Sequence, residues 1–75
     1  MNKVRRKQLS KWLDDIEAIK NELESICSDE QEYFDNMPEN FQGGQRGMDA
    51  EGAIDQMNEA ISSIEEVISI IEEIV

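Results

Sequence analysis

Apolar residues recur along this chain in alternating steps of three and four. From Leu9 the series runs through Trp12, Ile16, Ile19, Leu23, Ile26, Glu30, Tyr33 and Met37, and only Glu30 departs from its apolar or aromatic character. That spacing is the heptad seam of an amphipathic helix. The series pauses after Met37 and resumes as Ala50, Ile54, Met57, Ile61, Ile64, Ile68, Ile71 and Val75, again without a slip. Neither segment contains an internal proline. Between them lie Pro38, Gly43 and Gly44, which interrupt helices through a missing donor and a permissive backbone. The pattern predicts an all-α single domain over 1–75, with helices at about 3–36 and 45–74 and a loop at 37–44.

Folding the second segment back on the first pairs the two seams layer by layer. Leu9 meets Val75, Trp12 meets Ile71, Ile16 meets Ile68 and Ile19 meets Ile64; Leu23 meets Ile61, Ile26 meets Met57, Glu30 meets Ile54 and Tyr33 meets Ala50. The centre of that register falls inside the proline–glycine stretch, so seam and turn chemistry call for the same antiparallel two-helix hairpin. Near the turn, Tyr33 and Phe34 oppose Ala50, Gly52 and Ala53, a large-to-small match that suits interdigitated packing.

The apolar stripes are wider than one partner helix covers. Beside the second seam runs the column Ala53, Ala60, Val67 and Ile74; beside the first run Leu13, Cys27 and Phe34, interrupted by Lys20. A chain this short also has a marginal core on its own. Both facts predict a homodimer in the form of a four-helix bundle, with Leu13, Cys27, Phe34, Ala60, Ile61, Ile64, Val67, Ile68, Ile71 and Ile74 at its interface. A different partner protein on the same wide face is the alternative.

Charge changes the picture from architecture towards partners. Lys3, Arg5, Arg6, Lys7 and Lys11 give the first eleven residues five positive charges, whereas the remainder sets eighteen acids against Lys20 and Arg46, a net of −16. In the hairpin the basic start lies near Glu72 and Glu73, which predicts mutual pairing of two ends that each oppose their own helix dipole. The acidic remainder repels nucleic acid and attracts basic protein surfaces. Glu59, Glu66 and Glu73 form one column at heptad spacing and Asp15, Glu22 and Asp29 another. Such rows suit imitation of a phosphate backbone, and they equally suit the solvated outer face of a bundle. The basic arm offers a rival contact with nucleic acid or a membrane surface; a purely structural dimerisation module is a third reading.

Catalytic chemistry finds little footing. The chain has no histidine and one cysteine, Cys27, so neither a disulfide within the chain nor the usual zinc and haem ligand sets are available, and no cofactor is expected. There is no nucleophile elbow, Gly-rich phosphate loop or C-x-x-C motif, which argues against an enzyme. Glu30 is the one seam carboxylate, but bundle metal sites need several inward carboxylates with histidines, so pairing or a tilt to solvent is expected, with Arg46 the nearest cation along the chain. Cys27 reads as a small buried hydrophobe and Trp12 as a seam residue at the open end. No apolar h-region and no run of about 18 apolar residues is present, which predicts a soluble cytoplasmic protein.

The segment Asp35 to Gly47, DNMPENFQGGQRG, is the most distinctive part. Asn36 is expected to cap a short turn begun by Pro38, with Phe41 plugging the bundle end beside Met37 and Met48. Asn40, Gln42 and Arg46 are the loop residues placed to recognise a partner. With the start MNKVRRKQL, the run Glu30-Gln31-Glu32-Tyr33-Phe34-Asp35-Asn36-Met37-Pro38-Glu39-Asn40-Phe41-Gln42, and Ala53-Ile54-Asp55 opening the second segment, the chain resembles small acidic proteins of phages and prophages of Gram-positive bacteria. Where that pattern leads one to expect a serine before the second helix, this chain has Gly44, a weaker N-cap. The resemblance implies a mobile-element accessory role in a host cell, acting on a host or phage protein, and supplies no activity residue by residue.

Overall fold

The first helix begins because Asn2 caps it. Its side-chain Oδ1 accepts the Arg5 backbone N–H at 2.8 Å, answering one of the four donors that a helix start leaves without a partner. The computed structural model describes residues 1–75 and contains three helices and no strand: α1 Lys3–Asp35, α2 Glu39–Gln42 and α3 Gln45–Glu72. At ~1.5 Å per residue α1 alone spans about 50 Å, and the whole chain measures 58 × 15 × 12 Å. The second long helix therefore lies alongside the first, as a hairpin rod.

The reversal is made without any residue of positive φ. Asn36 ends α1, its N–H bonded to the Glu32 carbonyl at 3.0 Å, and Pro38 then prevents continuation. The Pro38 carbonyl accepts the N–H groups of both Phe41 and Gln42, which winds the single turn α2. Gly44, in extended backbone, starts α3 and accepts the Met48 N–H at 3.0 Å, with no side chain to cap the other donors. Two contacts lock the turn onto the rod. Gln42 Nε2 donates to the Phe34 carbonyl at 3.1 Å. Gly47 is buried directly beneath the Gln42 backbone, where a Cβ would overlap the Gln42 carbonyl group.

Two details of the loop differ from expectation. Asn36 closes α1 rather than capping α2, whose start at Pro38 has no side-chain cap. Phe41 does not plug the bundle end: it is 48% exposed, and Met48 is exposed as well.

α3 buries the expected stripe from Ala50 to Ile71, with Gly47, Ala50, Ile54 and Ile68 buried and Met57, Ile61, Ile64 and Ile71 half-buried, whereas Val75, expected opposite Leu9, lies past the helix end and is 43% exposed. α1 does not. Its inward line runs Leu9, Leu13, Ile16, Lys20, Leu23, Cys27, Glu30 and Phe34, with Leu13 and Cys27 the most buried. Trp12, Ile19, Ile26 and Tyr33, expected in the seam, are 42%, 52%, 57% and 50% exposed. Both candidate seams share the column Leu9, Ile16, Leu23 and Glu30; they differ in which neighbouring column closes against α3. The column of Leu13, Lys20, Cys27 and Phe34 closes against α3, and the column that carries Trp12 and Tyr33 stays outside. Lys20 fits there because its stem is apolar while its Nζ turns back to Glu24 at 3.8 Å.

The rod is thinly covered for its mass. Only six residues are buried and no large side chain is fully so. Its accessible surface of 5694 Å² exceeds by about 1,000 Å² what a compact folded chain of 8.6 kDa exposes.

Candidate functional site

The hairpin has two unlike faces, and heptad geometry assigns each column to one of them. On the closed face, Glu24, Ser28, Gln31 and Asn58 surround Cys27, whose Sγ donates to Asn58 Oδ1 at 3.6 Å. This polar rim covers the seam, and Cys27 sits beneath it as a small buried group, as its apolar neighbours along the chain predict.

The open face is apolar along most of its length. Trp12, Ile19, Ile26 and Tyr33 come from α1, one heptad apart; from α3 come Ala53, Ala60, Val67 and Ile74, with Val67 and Ile74 39% and 40% exposed. That the two columns share one side is shown at the turn, where Tyr33, Met37, Phe41 and Arg46 line a single hollow, Arg46 lying one heptad before Ala53. At the other end Met1, Arg5, Leu9 and Trp12 line a second shallow hollow on the same side. The column of Leu13, Cys27 and Phe34, expected on the outer shoulder, is inside the hairpin, as are Ile61, Ile64, Ile68 and Ile71 of the seam. Ala60, Val67 and Ile74 remain on the outside, and the exposed partner column on α1 is the one assigned to the core from hydropathy.

The charged groups stay separate. Glu59, Glu66 and Glu73 lie on the side of α3 turned away from α1; Asp15, Glu22 and Asp29 flank the open face on α1, so the two rows do not merge into one surface. All six are exposed. The expected pairing of Arg5, Arg6 and Lys7 with Glu72 and Glu73 does not form: the one ion pair within 4.0 Å is Lys20–Glu24. Lys3, Arg5, Arg6, Lys7 and Lys11 are exposed and without an ionic partner, and so is Arg46. Glu30 is half-buried and likewise makes no ion pair with Arg46.

Of the loop candidates, Asn40 is exposed, Arg46 lines the hollow beside Tyr33, and Gln42 is occupied by its bond to Phe34. Gln42 is thus a latch of the turn. Asn2 and Gly47 were the structural residues missed in the sequence. The first was legible as a capping residue directly before Lys3, where the basic run begins; the second has no local signal, because the backbone it accommodates arrives from five residues earlier.

No group of three or more acidic or sulfur side chains gathers as a metal site, and no helix is long and apolar enough to cross a membrane. Compared with protein families, curated proteins and solved structures, the chain matches none.

Proposed function

We propose that this chain is a non-enzymatic accessory protein that works as a dimeric four-helix bundle and acts by binding another protein through its acidic exterior. The observation that carries the reading is the state of the acids: eighteen are present and one, Glu24, has a cation within 4.0 Å. Charges left unanswered on a rod are available to a basic partner. Eighteen acids along 58 Å average one per ~3 Å, about half the linear density of duplex DNA at one per ~1.7 Å. Two rods side by side double this, to roughly one acid per 1.6 Å, or one net charge per about 2.6 Å. The dimer, rather than the single hairpin, approaches the charge of a nucleic acid. The partner class that follows is a host nucleic-acid-binding or defence enzyme held at its phosphate groove, in keeping with the resemblance to phage and prophage proteins and with action in the host cytoplasm.

The decisive experiment is competition. Immobilised protein is incubated with a lysate of a Gram-positive bacterium, and captured proteins are eluted with duplex DNA. Glu59→Gln, Glu66→Gln and Glu73→Gln together are expected to abolish DNA-elutable capture, while Lys3→Gln, Arg5→Gln, Arg6→Gln and Lys7→Gln leave it intact. The reverse pattern sinks the mimicry reading. It would support the second one, favoured by the unpaired basic arm: contact of Lys3 to Lys11 with an anionic nucleic acid or lipid surface.

A further inference from the structure

We propose that the open face is covered by a second copy of this chain, each α1 lying over the other copy's α3, with both loops at the same end. This rests on the dimeric reading above and adds to it the face, the pairing of helices and their polarity.

Area is the first support. The surface in excess of a compact fold, about 1,000 Å² per chain, corresponds to one side of a standard interface of roughly 800 Å² per partner. The exposed apolar side chains are not spread evenly. One face is rimmed by polar side chains around Cys27, and the other carries an unbroken apolar column on each helix.

Shape is the second. Read from the loop outwards, the α1 column is Tyr33, Ile26, Ile19 and Trp12, and the α3 column at the same heights is Ala53, Ala60, Val67 and Ile74. When α1 of one copy lies over α3 of the other with the loops together, Tyr33 falls on Ala53 and Ile26 on Ala60. In the half next to the loop, large side chains then enter the spaces left by small ones, the interdigitation that a bundle core requires, while Ile19 meets Val67 and Trp12 meets Ile74 in the other half. Arg46, unpaired in the single hairpin, comes within reach of the second copy's Tyr33 face.

Charge decides between this arrangement and its rival. The α1 edge of the open face is Asp15, Glu22 and Asp29, whereas the α3 edge at those heights is Gln56, Ser63 and Ile70. Laying α1 over α3 sets acids beside uncharged side chains. The rival, with loops at opposite ends, lays α1 on α1, which opposes Glu22 to Glu22 and Asp15 to Asp29 and forces Trp12 against Tyr33. Like charges held across an interface select against that pairing.

The test uses the full chain. Sedimentation equilibrium at micromolar concentration is expected to give a dimer. Ile26→Asp and Ala60→Glu change exposed positions and are each expected to give a monomer that retains helical circular dichroism. For polarity, Cys27→Ala with Gly43→Cys provides one label site where an added side chain meets nothing within 4 Å. Spin labels there are expected roughly 20–30 Å apart, two helix layers plus label arms. A separation near the rod length of 58 Å would overturn the pairing and polarity while leaving dimerisation standing. A dimer that survives both Ile26→Asp and Ala60→Glu would overturn the face. A wild-type monomer would overturn this proposal together with the dimeric reading on which it rests.

Discussion

Adding one methyl group at Gly47 and at Gly52 should move stability in opposite directions. Both glycines are in α3, and for a helix interior Gly→Ala normally stabilises by ~0.5–1 kcal/mol. Gly52 is exposed and a Cβ there would meet nothing within 4 Å. The full gain applies, and with ~4–8 °C per kcal/mol for a domain of this size the melting temperature should rise by about 2–8 °C. At Gly47 the new Cβ would overlap the Gln42 carbonyl group and approach Gln42 Cα to 2.6 Å. Backbone cannot rotate away as a side chain can, so α2 must lift, and the bond from Gln42 Nε2 to the Phe34 carbonyl, worth ~1 kcal/mol, is put at risk. Overpacking of this kind costs ~1–3 kcal/mol, which exceeds the helical gain. A net loss of roughly 1–2 kcal/mol predicts a melting temperature lower by about 4–16 °C. The assay is thermal unfolding followed by circular dichroism at 222 nm, with all variants at one protein concentration because association raises apparent stability. Equal stabilisation by both substitutions would show that α2 does not rest on Gly47, and the account of the turn would fall.

Ile68→Ala should destabilise by ~2–4 kcal/mol in urea unfolding, because Ile68 is buried, whereas Val4→Ala, 66% exposed and off the open face, should cost under about 0.5 kcal/mol. Gly44→Ser supplies the side-chain cap that α3 lacks; it should raise stability by a few tenths of a kcal/mol and increase amide protection at residues 46 and 47 in hydrogen exchange. Added salt should act with opposite signs on the two contacts proposed. It screens repulsion between acidic rods and tightens the dimer in sedimentation, while it weakens capture of a basic partner. Cys27 should react with a thiol reagent much more slowly in the folded chain than in urea; equal rates would place the sulfur at the surface rather than under Asn58.

Much of the architecture was legible along the chain. The three-and-four rhythm resuming after Pro38, Gly43 and Gly44 fixed two helices, their approximate ends and the reversal between them. The α3 seam of Ala50, Ile54, Met57, Ile61, Ile64, Ile68 and Ile71 is the observed one. The rotation of α1 was misread for a physical reason. Lys20 interrupts the column of Leu13, Cys27 and Phe34, so the uninterrupted column of Trp12, Ile19, Ile26 and Tyr33 reads as the seam, yet it is the interrupted one that turns inward. A lysine passes as a core residue there when its stem is covered and its head finds Glu24.

What the sequence determined by itself is therefore the set of columns: their spacing follows from the helical period and the identity of the residues, and neither needs a partner to be known. Which column of α1 turned inward was a tertiary decision, made by the isoleucine-lined surface of α3 and by a turn whose latch, Gln42 on Phe34, and close approach, Gln42 on Gly47, join residues distant in helical phase. That choice leaves the column that carries Trp12 and Tyr33 outside. The acids were counted in the sequence; that all but Glu24 remain unpaired, and that the basic arm fails to meet Glu72 and Glu73, depends on side-chain separations across the hairpin that no linear pattern encodes.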